Sequence, residues 1–193
     1  MNASRLLLAM IAATGLALAG GVHAATDKTA YDSAVKAADA QYKTAKAACD
    51  SLSGNAKDVC VKEAKGKEKV AKADAEAAHR DTARARQNAR MAAADATYDV
   101  AKEKCDDLAG NPKDVCVKEA KAAHVRATAD AKVDRVAADA RSANADKTAE
   151  ARREATSDKR DADYKVAAEK CDALAGTAKD ACVRDAKMRF NKT

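Results

Sequence analysis

Apolar side chains recur along this chain in steps of three and four. Tyr31, Val35, Ala38, Tyr42, Ala45 and Cys49 form one series, and Met91, Ala94, Tyr98, Ala101 and Cys105 a second. Val125, Ala129, Val133, Val136, Ala140 and Ala143 form a looser third. That period lays one apolar stripe along a helix and turns it toward a partner helix. No run alternates β-branched or aromatic residues with polar ones, so the pattern predicts no strand. Breakers are scarce. From residue 25 onward the only glycines are Gly54, Gly66, Gly110 and Gly176, and the only proline is Pro112.

Three of those glycines lie in a stretch that the chain writes three times, over residues 42–65, 98–121 and 164–187. Each copy has a tyrosine (Tyr42, Tyr98, Tyr164) seven residues ahead of a cysteine, and ten residues between that cysteine and the next. Gly54, Gly110 and Gly176 suit the position just past a helix end, where a left-handed backbone costs glycine nothing. Asn55, Asn111 or Thr177 follows as a candidate N-cap, and Pro112 sits at a first helical position, where its missing N–H is harmless. Stop and start signals abut, so two helices must double back antiparallel at each copy.

The cysteines fit that turn. Cys49 lies five residues before Gly54, and Cys60 five after Asn55. The two are therefore level with each other, a little over one helical turn down each arm. A disulfide needs Cα atoms about 4.4–6.8 Å apart, and the small neighbours Ala45, Ala48 and Ala64 permit it. The same counting pairs Cys105 with Cys116 and Cys171 with Cys182. The expected fold is all-α: elongated antiparallel hairpins of four coiled-coil-like helices with three stapled turns. The helices would run to Gly54, from Asn55 to Ala109, from Asn111 to Ala175, and from Thr177 onward. The central pair would reach about 80 and 95 Å at a rise of ~1.5 Å per residue. Two staples would share one end, with the third at the opposite tip. Segments 72–92 and 141–162, with the weakest stripe and most charge, are where kinks or fraying are expected.

Composition refines this picture. Leucine, valine, isoleucine and phenylalanine are few after residue 24 and alanine dominates, so the core must be thin. The 36 basic and 30 acidic side chains nearly cancel to a net charge of +6, and this Ala/Lys/Asp/Glu/Arg make-up belongs to long helices rather than to disorder. Residues 1–24 read as a signal peptide. A basic start precedes a run of roughly 14 apolar residues, short of the ~20 a spanning helix needs, and Val22-His23-Ala24 supplies a cleavage site. Residues 25–193 then form a single elongated helical domain. Six cysteines at fixed spacing behind such a leader indicate an oxidising compartment, with the periplasm or the exterior as the location.

The candidate chemistry is sparse. No nucleophile elbow, phosphate loop or paired-carboxylate pocket is legible, so no enzyme and no catalytic residue is expected. Ten-residue cysteine spacing without adjacent histidine fits neither zinc nor haem, so no metal and no cofactor is expected. Arg80, Arg84, Arg86 and Arg90 crowd one helix and are the candidate anion-binding residues. A solvated, salt-bridged face explains them more simply. Without an aromatic stacking platform, nucleic acid is a poor fit.

The repeated Tyr-x6-Cys-Asp-x-Leu-x-Gly-x-x-Lys-Asp-x-Cys-Val stretch resembles that of secreted Ala/Lys/Asp-rich proteobacterial proteins labelled TolA-like or cell-envelope biogenesis proteins. That resemblance spans essentially the whole chain after the leader. It implies a non-enzymatic periplasmic protein with a structural, spacer or interaction role at the envelope, and brings no catalytic residues. Two other readings stay open. One is a stress protectant that orders on drying or on membranes. The other is a binder of polyanions such as lipopolysaccharide, lipid or nucleic acid. The partner would be an envelope protein or a second copy, with a weak contact to an anionic envelope surface.

Overall fold

The structure, a computed structural model, describes residues 27–140 and 145–192. The signal-peptide reading of residues 1–24 lies outside the described residues. Six α-helices follow in order: α1 Lys28–Ala48, α2 Gly54–Arg80, α3 Ala83–Lys104, α4 Gly110–Ala140, α5 Ala145–Cys171 and α6 Gly176–Arg189. No strand occurs among the described residues. Single 3-10 turns, Cys49–Ser51 and Cys105–Asp107, close α1 and α3.

The expected four helices are therefore six, because both central helices fold in half. The longest, α4, has 31 residues and spans only about 46 Å. The chain reverses between α2 and α3 without glycine or proline. Asp81 adopts a left-handed conformation, φ 45°, and its N–H donates to the Ala77 carbonyl. Thr82 then caps α3, its hydroxyl accepting from the Ala85 N–H at 3.0 Å. A short polar side chain tolerates the left-handed region better than most, and threonine is a good cap.

Among the described residues, the close packing of each helix is with the helices before and after it in sequence. Every neighbouring pair is antiparallel: Tyr31 meets His79, Lys69 meets Asp95, Arg90 meets Asp134, Lys132 meets Glu154, and Tyr164 meets Phe190. The protein is thus a row of three tandem hairpins, α1–α2, α3–α4 and α5–α6. Because the helices alternate in direction, all three stapled turns lie at the same end of the row. This corrects the expectation of two staples at one end and one at the other.

The core is made of alanine and cysteine. Among the described residues the buried set is fourteen alanines with Cys49, Cys105 and Cys171. On α3, Ala85, Ala89 and Ala92 follow one stripe while Ala94 lies on another flank, since an internal helix has two neighbours to face. Methyl-sized contacts let helices approach closely: a Cβ on Gly66 would stand 3.0 Å from the Ala96 Cβ. One buried methyl contributes about 0.8 kcal/mol, whereas closing an eleven-residue separation with a disulfide contributes about 3 kcal/mol. Each staple is therefore worth several core contacts.

Candidate interaction surfaces

The repeated turn is built three times to one plan. Disulfides join Cys49 to Cys60, Cys105 to Cys116 and Cys171 to Cys182, each with Cα atoms 5.7 Å apart. The first cysteine ends its helix, and its carbonyl accepts from the N–H of Leu52, Leu108 or Leu174 at 3.0 Å. Gly54, Gly110 and Gly176 follow with φ of 56°, 59° and 56°, so the left-handed glycine is present but opens the next helix. A salt bridge straps each turn: Lys57 to Asp50, Lys113 to Asp106 and Lys179 to Asp172, all at 2.9 Å. These ammonium groups hold the Asp50 and Asp106 carboxyls below their ordinary range. The leucines stay 43%, 43% and 44% exposed, and the fold offers no burial that would explain a leucine there.

The expected caps act differently. The Asn111 side-chain amide donates to the Glu169 carbonyl of α5 at 2.9 Å and so ties the second hairpin to the third. Asn55 occupies the same place in the first hairpin, and its Nδ2 is buried without a partner. Thr177, at the same place in the third hairpin, is exposed.

A second repeated element went unread in the sequence. Asp39, Asp95 and Asp161 each stand three residues before the repeat tyrosine, and each meets a basic side chain from farther along the chain. Asp39 pairs with Lys72, Asp95 with His124 at 2.7 Å, and Asp161 with Lys192. Lys69 of α2 reaches Asp95 as well, at 2.8 Å, so this carboxylate links three helices. All three carboxyls are held below their ordinary range. Lys72 is the main cause for Asp39, Lys69 followed by His124 for Asp95, and Lys192 for Asp161. Asp39 and Glu68 together push the Lys72 ammonium pKa upward. The signal was available as Asp-Ala-x-Tyr in each copy, but alanine and aspartate are too common here to stand out.

Two histidines lie against tyrosine rings on neighbouring helices. His79 stacks on Tyr31 and His124 lies against Tyr98, with ring centroids 5.2 Å apart in both pairs. Tyr164 meets Phe190 edge-on, and Tyr42 has the Lys46 ammonium 6.0 Å from its ring.

Arg80, Arg84, Arg86 and Arg90 gather around the α2–α3 reversal. Arg80 pairs with Glu76, Arg86 with Asp81 and Arg90 with Asp134. Arg84 is exposed. Three of the four are thus engaged by carboxylates of the chain itself. Among the described residues no group of three or more His, Cys, Asp or Glu side chains is placed to hold a metal ion, and no helix is long and apolar enough to cross a membrane. The three disulfides point to an oxidising, extracytoplasmic environment.

The faces of the row carry grooves where helices meet. One, about 600 Å³, runs between α2 and α3 past Gly66, Val70, Ala96 and Val100. Another, about 660 Å³, is shared by α3, α4 and α5 and is edged by lysines. Neither family models, nor curated proteins, nor solved structures yield a match to this chain.

Proposed function

We infer that this protein is a non-enzymatic helical scaffold of the cell envelope, working in the periplasm and presenting surfaces to partners. The observation that carries this reading is the thrice-repeated stapled turn, aligned along one end of the row. Three covalent staples and three matched Lys–Asp straps go into fixing the geometry of an edge that then displays Leu52, Leu108 and Leu174 half-exposed. Tandem hairpins that contact only their neighbours offer extended surfaces, as repeat architectures do. The role is accordingly structural or adhesive, with an envelope protein or a second copy as partner.

Circular dichroism in dilute, lipid-free buffer tests it. A scaffold shows strong helicity that is independent of concentration and of added vesicles. A chain that is coil in buffer and becomes helical only on vesicles or on drying is instead a stress protectant, and the scaffold reading then falls.

A further inference from the structure

We propose that the groove shared by α3, α4 and α5 binds a single-chain amphiphile with an anionic head, its chain lying along α4 and its head held by Lys121 and Lys165. The inference rests on the scaffold reading, since the groove exists only when hairpins two and three pack side by side.

The floor is apolar apart from Gln87 on α3 and Thr128 on α4, whose hydroxyl is turned back onto its own helix, donating to the His124 and Val125 carbonyls. Val125 of α4 lies along it between the buried Ala122 and Ala129, and Met91 and Ala162 flank it from the neighbouring helices. From Lys121, where the head is held, to Lys132 the lined length of α4 is about 16 Å at the helical rise. That suits the extended chain of a fatty acid such as myristate. The volume of about 660 Å³ falls within the ordinary range of small-molecule sites, roughly 300–1,000 Å³.

Charge selects the head group. Lys118, Lys121, Lys132 and Lys165 edge the groove, against Asp158 and Asp161. Asp161 is already answered by Lys192. Lys118 and Lys132 are engaged by Glu169 and Glu154. Lys121 and Lys165 make no ion pair within 4 Å among the described residues. Their long methylene stems can lie over an apolar chain while the ammonium groups meet a carboxylate or phosphate.

The groove is not a mere consequence of the repeat. With Cys60 aligned on Cys116, α2 carries Lys69 and Glu76 where α4 carries Val125 and Lys132. In the first hairpin the same strip is therefore interrupted by charge. The apolar strip that α4 offers is therefore not repeated at the matching positions of α2.

Isothermal titration calorimetry of the oxidised full chain tests the proposal with myristate, tetradecyl phosphate, tetradecanol, acetate and inorganic phosphate, after a helical spectrum is verified. The expected result is binding of myristate, tetradecyl phosphate or both, with tetradecanol, acetate and inorganic phosphate at least tenfold weaker. The variant K121A/K165A should weaken binding about tenfold while keeping the helical spectrum. V125D should abolish it. Binding of both anionic amphiphiles assigns the head as any anion, and binding of one assigns that head alone. Failure of both to bind a helical protein overturns the groove proposal and leaves the scaffold reading standing. So does unchanged binding in K121A/K165A, or equal binding of tetradecanol. A chain that is coil until myristate is added overturns both.

Discussion

The side-chain amide of Asn111 donates to the backbone carbonyl of Glu169 across the junction of the second and third hairpins. The matching residue one hairpin earlier, Asn55, is half-buried, with its Nδ2 shielded from solvent and unpaired. One residue type at one repeat position thus makes its bond at one junction and not at the other. Removing the made bond should cost about 1 kcal/mol, whereas Asn55→Ala removes a buried donor that satisfies nothing. Urea denaturation should therefore show Asn111→Ala clearly less stable than the parent and Asn55→Ala within a few tenths of a kcal/mol of it or more stable. Equal losses would show that both amides bond in solution.

The staples should outweigh every surface ion pair. Replacing Cys105 and Cys116 together by alanine should lower stability by about 3 kcal/mol. Lys113→Ala, which removes only the exposed strap across the same turn, should cost far less. Denaturation of the oxidised Cys105/Cys116 double variant against the oxidised parent checks the first value, and of oxidised Lys113→Ala the second.

Gly66 faces Ala96 so closely that an added Cβ would meet it at 3.0 Å. Gly66→Ala gains about 1 kcal/mol of helix propensity but must push α2 from α3. The two effects should roughly cancel. In an Ala96→Gly background the obstruction is gone and the gain should appear in full, so a double-mutant cycle should report coupling between sites 66 and 96. Additive effects would mean that the two helices do not approach so closely.

The reversal between α2 and α3 rests on Asp81 and Thr82. Thr82→Ala should cost about 1 kcal/mol through loss of its bond to the Ala85 N–H. Asp81→Gly relieves a left-handed non-glycine residue, worth about 1–2 kcal/mol, and gives up only the exposed pair with Arg86. It should raise the melting temperature. A fall would show that the pair, not the backbone, governs this turn.

Acid should loosen the row. Asp39, Asp95 and Asp161 are all held below the ordinary carboxylate value, chiefly by the ammonium groups of Lys72, Lys69 and Lys192 in turn. A depressed folded-state value means that their stabilisation is fully present at neutral pH, and is lost as pH falls below about 4 through the lowered values. The urea midpoint should stay level on their account from neutrality to about pH 5, then drop. Asp95→Asn should shift the neutral-pH midpoint downward and make the acid drop shallower. An unchanged slope would remove Asp95 from the linkage.

Much of this architecture was legible in local chemistry. The step of three and four residues, the glycine before Asn55, Asn111 and Thr177, and the level placement of each cysteine pair are short-range facts. They dictated helices, three antiparallel turns and the pairing of all six cysteines, because a turn and a disulfide across it are decided by about a dozen residues. Segment 72–92 was legible as the place for a kink, but its full reversal at Asp81 was not, since Asp and Thr occur throughout this chain and mark a turn only where packing across it repays the broken helix. The division of labour at the repeat position of Asn111 was hidden for a related reason: its side chain serves a helix 58 residues away rather than its own. Tertiary structure alone decided that the long helices fold in half, that three staples share one edge, and that Lys121 and Lys165 overlook the same apolar strip. In a chain where alanine lies on every flank of every helix, the stripe cannot say which flank meets which neighbour. Only the packing of whole helices, through Gly66 against Ala96 and Asp95 among Lys69, Tyr98 and His124, sets that choice.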